Sequence, residues 1–276
     1  SSDVCSSDLT LAGNWTNNSS ENAFSGLFGS SCCTSGCRVT MAGASAQTIG
    51  GTFGTQFMEL QINNSNGVTL NAPVYVTAAV LPTSGTLTTN GTGGSLNLMS
   101  TATCSGSIQS IGVGADVSGP VLLQRYVPSN PASNWMFLSC PLYATNTNSM
   151  MSPNTAWGSR VVRGVSYPAL TMTTTSIKFY NEALVGVSNV GFTAISPSTG
   201  TLNPLLGYNV FATATAKTIN PVGFPIKGSI TRSLSYTASG PAESWGRNLV
   251  GNPYPAEIDW MTVEASSSNV GAYYIY

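Results

Sequence analysis

The stretch MELQINNSNGVTLNAPVYVTAAV, Met58 to Val80, decides the fold class. Met58, Leu60 and Ile62, then Val68 and Leu70, then Val74 and Val76 alternate with polar residues. Side chains of an extended strand point to opposite faces in turn, so this spacing predicts strands with one buried face. Asn, Ser and Gly punctuate the runs, and no helical period intervenes. Working outward, LTLAGNW, RVTMAG, AQTIGG, GTLTTNG and SLNLMS repeat the style every six to ten residues or so, the rhythm of many short strands. Stacked rungs that lay like residues over like would turn the many Thr and Asn residues into hydrogen-bonded ladders. The expected arrangement for residues 10–118 is an irregular parallel β-helix, a solenoid, with a β-sandwich as the alternative.

Near Gly119 the style changes. GADVSGPVLLQRYVP is the longest apolar stretch to that point, and Trp, Tyr, Phe and Pro become frequent after it. Aromatics of this size suit the core between two sheets. Residues 119–276 are therefore expected to form an antiparallel, jelly-roll-like β-sandwich, with strands in VLLQRYV, WMFLSC, SIKFYNE, GYNVFATAT, IKGSITRSLSYTA, RNLVGNP and AYYIY. Trp135, Leu138 and Pro141 recur more widely spaced as Trp245, Leu249 and Pro253, which predicts a strand running into a proline-ended loop at both places.

The opening SSDVCSSDL, Ser1 to Leu9, has no period that an element could use. It reads as a translated sequencing adaptor, and such segments are excluded from fold reasoning. Thr10 is then the first genuine residue of a fragment truncated at both ends. Without Asp3 and Asp8 the chain has 8 acidic against 9 basic residues, so its net charge moves from -1 to +1. Without Cys5 five cysteines remain, an odd number that cannot all pair within one chain.

Charged residues make up 7% of the chain, against roughly 25% in an average soluble protein. With 42% hydrophobic residues the composition is not a disordered one. No apolar run reaches the ~20 residues of a membrane helix. Near-neutral, scattered charge leaves no basic footprint for nucleic acid. A charge-poor, Thr- and Asn-rich chain is expected in an extracellular or outer-membrane surface setting.

Histidine is absent, which removes the usual general base and imidazole metal sites. Between Thr10 and Ser118 the acids are Glu21, Glu59 and Asp116, far apart in sequence. Glu257 and Asp259 stand two apart, but glycosidase carboxylates come from separate elements flanking a cleft. The expected roles are an Asp259 cap on a turn or short helix before Trp260, and a solvated Glu257. Calcium at this pair lacks a third acid. Cys32, Cys33 and Cys37 in CCTSGC lack zinc-site spacing; a disulfide from Cys33 to Cys37, or from Cys32 or Cys33 to Cys104, competes with buried free thiols. No catalytic residue, metal or cofactor is expected. The ligand-contact candidates are Trp157, in the loop SPNTAWGS, and Tyr254, between two prolines, each of which could instead fold back onto the core.

The segment WGRNLVGNPYPAEIDW, Trp245 to Trp260, resembles a W-N-L-V-G-N-P-Y-P-S-x-I-D-W motif of large secreted and surface proteins of Bacteroidetes. The upstream GASAQTIGGTF, LQINNSNGVTLNAPVYV and SGTLTTNG resemble the strand repeats that often precede it. Arg247, Ala256 and the SSCCTSGC segment depart from the pattern. The resemblance implies a cell-surface or secreted protein exported by the type IX route, known by architecture rather than activity. The resulting expectation is a non-catalytic structural and adhesive segment that contacts extracellular polysaccharide or another cell surface. The alternative is a carbohydrate-binding accessory region of a larger secreted glycan-degrading enzyme.

Overall fold

The computed structural model describes residues 8–19, 37–90, 94–128, 135–147, 149–151, 177–184, 186, 189–195, 200–211, 216–241, 245–268 and 270. Among them the chain is all-β apart from one six-residue helix. Its first half contains Leu9–Leu11 (β1), Trp15–Thr16 (β2), Arg38–Met41 (β3), Gln47–Gly50 (β4), Thr55–Asn63 (β5), Val68–Leu70 (β6), Val74–Thr88 (β7), Leu96–Leu98 (β8), Ser107–Ile108 (β9), Ala115–Ser118 (β10) and Val121–Leu123 (β11).

These strands pair in three ladders, all parallel. The first runs β1, β3, β5, β7, β9. The second runs β2, β4, β6, the end of β7, then β10. The third runs from the start of β5 through the start of β7 to β8 and β11. The chain visits the three in turn and returns to the first. Val39, Leu60, Val80 and Ile108 thus lie over one another at sequence separations of 21, 20 and 28. Leu96 and Leu98 are likewise stacked on Val74 and Val76.

The inward residues form a continuous core in which Met41, Phe57, Leu60, Ile62, Val74 and Leu98 are wholly buried. Each such side chain contributes about 1.5–3 kcal/mol of transfer free energy. The polar excess is used in two ways. On the outer face of the first ladder the Thr40 hydroxyl donates to Gln61 Oε1 (3.0 Å), Gln61 Nε2 donates to Thr83 Oγ1 (3.0 Å), and Thr83 donates to the Ile62 carbonyl (2.9 Å). At the corner between the first two ladders, buried Asn64 donates to Gln47 Oε1 (2.9 Å) and to the Ser45 carbonyl (2.7 Å). Buried amides survive there because each finds a backbone or amide partner.

β7 turns two corners without leaving extended structure. Gly85 makes the second turn with φ +75°, and a Cβ at that position would strike the Asn64 carbonyl oxygen. Gly85→Ala is expected to cost about 2 kcal/mol, from the left-handed backbone alone; a smaller shift in the urea midpoint than Gly228→Ala produces would contradict it, since Gly228 also has positive φ but open space around it.

The second half contains Arg125–Val127 (β12), Trp135–Leu138 (β13), Leu142–Tyr143 (β14), Ile177–Tyr180 (β15), Phe192–Ala194 (β16), Tyr208–Phe211 (β17), Lys217–Ile219 (β18) and Val222–Pro225 (β19), then the helix Trp260–Ala265 (α1). Pairing here is antiparallel: β13, β17, β15 and β16 form one sheet, and β12 pairs β18. β11 is parallel to β8 on one side and antiparallel to β19 on the other, and β19 continues to β14. One sheet therefore crosses residues 118 and 119 and changes from parallel to antiparallel at β11.

The expected strand in IKGSITRSLSYTA is not formed. Residues 226–238 adopt no regular structure, because side chains take the place of a neighbouring strand: Asn248 Nδ2 donates to the Ser235 carbonyl (2.9 Å), and Arg232 Nη1 donates to the Leu205 carbonyl (3.3 Å). Nor is RNLVGNP a strand; its pairing is one bridge, Val250 to Leu206. The strand-into-proline reading thus holds for Trp135 to Pro141 and fails for Trp245 to Pro253. AYYIY lies outside the described residues.

Candidate functional site

The second half meets the last strand of every parallel ladder. At the first ladder, Ile108 N donates to the Pro255 carbonyl (2.7 Å). At the second, Lys227 Nζ bonds Asp116 Oδ1 (2.5 Å) and the Val117 carbonyl (3.0 Å). At the third, β19 pairs β11. Unpaired strand edges recruit foreign strands; β19 covers the edge of the third ladder, and single contacts meet the first two.

Beside the first of these contacts lies a cleft of about 590 Å³. Ala78 and Ala79 line it where β7 turns its first corner, and Ser107 and Gln109 line it from β9 onward. The loop of residues 101–105 supplies further hydroxyls. It is held by Cys104 N donating to Thr101 Oγ1 (3.1 Å), by the Ser100–Ser105 hydroxyl pair (2.8 Å) and by a disulfide at Cys104. β12 brings Arg125 and Tyr126: the Tyr126 N–H donates to Ser100 Oγ (2.9 Å), and Arg125 Nη1 donates to Ser105 Oγ (3.2 Å).

Glu257 reaches the same cleft from the NPYP loop. That loop is pre-formed: Tyr254 N donates to Asn252 Oδ1 (2.9 Å), Asn252 Nδ2 donates to the Ala256 carbonyl (2.6 Å), and the Tyr254 hydroxyl donates to the Gly228 carbonyl (2.7 Å). An Asn side chain that imitates a turn in this way fixes the loop locally. Tyr254 is half-buried and does not line the cleft. Trp157 lies outside the described residues.

Asp259 is the N-cap of α1; it accepts from Met261 N (3.0 Å) and from the Thr262 hydroxyl (2.7 Å). The Thr262 hydroxyl, then the Met261 N–H, hold its carboxyl below the usual range. Glu257 and Asp259 thus have separate environments and do not act as a pair.

No known family model, curated protein or solved structure matches the chain. Chemistry at the cleft therefore rests on its own residues.

Among the described residues no three of Cys, Asp and Glu gather as a metal-holding group, and no helix is long and apolar enough to cross a membrane. Cys37 is disulfide-bonded, as Cys104 is. Cys140 is a free, buried thiol whose S–H donates to the Leu142 carbonyl, and desolvation pushes its pKa up to about 11. Thiols of that kind are inert at neutral pH.

Sequence reasoning took Glu257 for a solvated residue with no role and did not single out Arg125, Tyr126 or Gln109. Arg125 and Tyr126 lie in β12, and Gln109 directly follows β9. Their meeting depends on which passes of the chain lie side by side, for which the sequence carries no local signal.

Proposed function

We propose that the chain is a non-catalytic structural and adhesive segment of an exported bacterial cell-surface protein, built as a parallel β-helix followed by an antiparallel, jelly-roll-like sandwich. The observation that carries this reading is the set of three parallel ladders whose far edges all meet the second half. A stack of this kind transmits load through backbone hydrogen bonds and holds loops at fixed heights, about 4.8 Å per rung. The sandwich part is supported by Tyr208 at the start of β17: its hydroxyl accepts from Asn203 N (2.6 Å) and donates to the Asn203 carbonyl (3.3 Å), a tyrosine bonding back a few residues as in other sandwiches.

An exported location is supported by the disulfide-bonded state of Cys37 and Cys104, since such bonds persist in oxidising compartments. The Bacteroidetes and type IX assignment is supported by the resemblance carried by Trp245 to Trp260. Adhesion would be multivalent, with weak sites on neighbouring copies adding avidity.

Beads coated with the purified chain, washed by flow over polysaccharide films and bacterial lawns, test the proposal. Retention above albumin-coated beads, with no reducing ends or unsaturated products released, is the expected result. Retention no better than albumin, or product release, would sink it.

A further inference from the structure

We infer that the cleft between the 101–105 loop, β9, β12 and the NPYP loop is a binding site for a neutral saccharide. This names a ligand class for the adhesive half of the proposed function and rests on that half alone.

The first argument is the use of charge. In a chain with so few ions, most of the described charged groups have a structural task. Arg38 pairs with Glu59 at 2.9 Å, Lys227 pairs with Asp116, Glu182 accepts from Thr237 and Gly246, Asp259 caps α1, and Lys178 lies over the Trp135 ring. Arg125 and Glu257 are exposed, line one cleft and form no ion pair among the described residues, with each other or with any third group. Arg125 keeps most of its five N–H donors, and Glu257 keeps both carboxylate oxygens.

The second argument is the lining. The cleft falls in the size range of small-molecule sites, roughly 300–1,000 Å³, but hydroxyls and an amide dominate where apolar groups are usual. Ser107 and Gln109 are already aligned, since Gln109 Nε2 donates to Ser107 Oγ (2.9 Å) and Ser107 donates to the Ala78 carbonyl (3.3 Å). Ala78 and Ala79 line the cleft without long side chains.

A ligand for such a site must donate and accept at many points. A polyol does so: a planar guanidinium donates to adjacent hydroxyl oxygens, and a carboxylate accepts from adjacent hydroxyls. One positive and one negative group leave no net attraction for an anion. A single carboxylate does not provide the pair that glycoside hydrolysis needs, so the site binds without cleaving.

Titration calorimetry of the whole chain with cellohexaose, laminarihexaose, mannohexaose and oligogalacturonate tests this. Saturable binding of at least one neutral hexasaccharide is expected, weakened tenfold or more by Arg125→Ala and by Glu257→Gln. Glu264→Gln, on α1 and outside the cleft lining, should leave it unchanged. Both cleft residues are exposed, so their variants should keep the parent melting temperature. No saturable heat with any neutral hexasaccharide, unchanged affinity in the two variants, or tighter binding of oligogalacturonate would each overturn the assignment. Saccharide binding without bead retention would remove the adhesive role and keep the site.

Discussion

Leu60→Ala is expected to lower the unfolding free energy by about 4 kcal/mol, near the upper part of the range for a buried leucine. Leu60 is fully buried in β5 between Val39 below and Val80 above. A parallel stack cannot close that gap by moving one strand, because both neighbouring rungs are fixed by their own ladders. The lost transfer energy and the residual cavity therefore both count. Gln61, the next residue, faces outward and shares hydrogen bonds with Thr40 and Thr83. Gln61→Ala should cost only about 1 kcal/mol. Urea unfolding of the two variants reads the difference, and equal losses would mean that the alternation of buried and exposed positions has been misassigned.

The second large effect is at Glu182, in the turn after β15. Its buried carboxylate accepts from the Thr237 N–H, from the Thr237 hydroxyl at 2.9 Å and from Gly246 N at 3.1 Å. It thereby ties two points of the long segment between β19 and α1 to the four-stranded sheet. Glu182→Ala leaves those donors without their acceptor, at a cost of about 3 kcal/mol.

The same group makes stability depend on pH. Burial pushes its pKa up, but hydrogen bonds from the Thr237 N–H, the Ser235 hydroxyl, the Thr237 hydroxyl and the Gly246 N–H outweigh burial, and the carboxyl sits below its ordinary 4.5. A carboxyl with a depressed folded-state pKa stabilises the fold above its unfolded value. That contribution is lost as pH falls from about 4.5 through the lower folded value. Glu182→Gln keeps the shape without the charge. The gap in urea midpoint between parent and Glu182→Gln should be widest at pH 7 and shrink by pH 3. A gap that stays constant with pH would show that shape alone, not charge, anchors this segment.

Much of the fold was legible in the residues themselves. Alternation in Met58–Ile62, Val68–Leu70 and Val74–Val76 located strands and their buried sides, since side-chain direction along a strand is a property of the strand alone. Asp259 was legible as a cap for the same local reason: its oxygens reach only the next three residues. Where a partner had to be found elsewhere in the chain, the sequence was silent. IKGSITRSLSYTA alternates as a strand should, but it pairs with no strand among the described residues, and Asn248 and Glu182 hold it by side chains instead.

By itself, then, the sequence determined the β class, the inward residues of the alternating strands between Met58 and Val76, and the poverty of charge. The tertiary structure decided that Val39, Leu60, Val80 and Ile108 lie in one column despite unequal spacings, because stacking ignores how much chain is looped out between passes. It also decided that the second half meets the ends of all three ladders and that Arg125 and Glu257, 132 residues apart, share one cleft. Local pattern sets which way a side chain points; only the packing of distant passes sets what it meets.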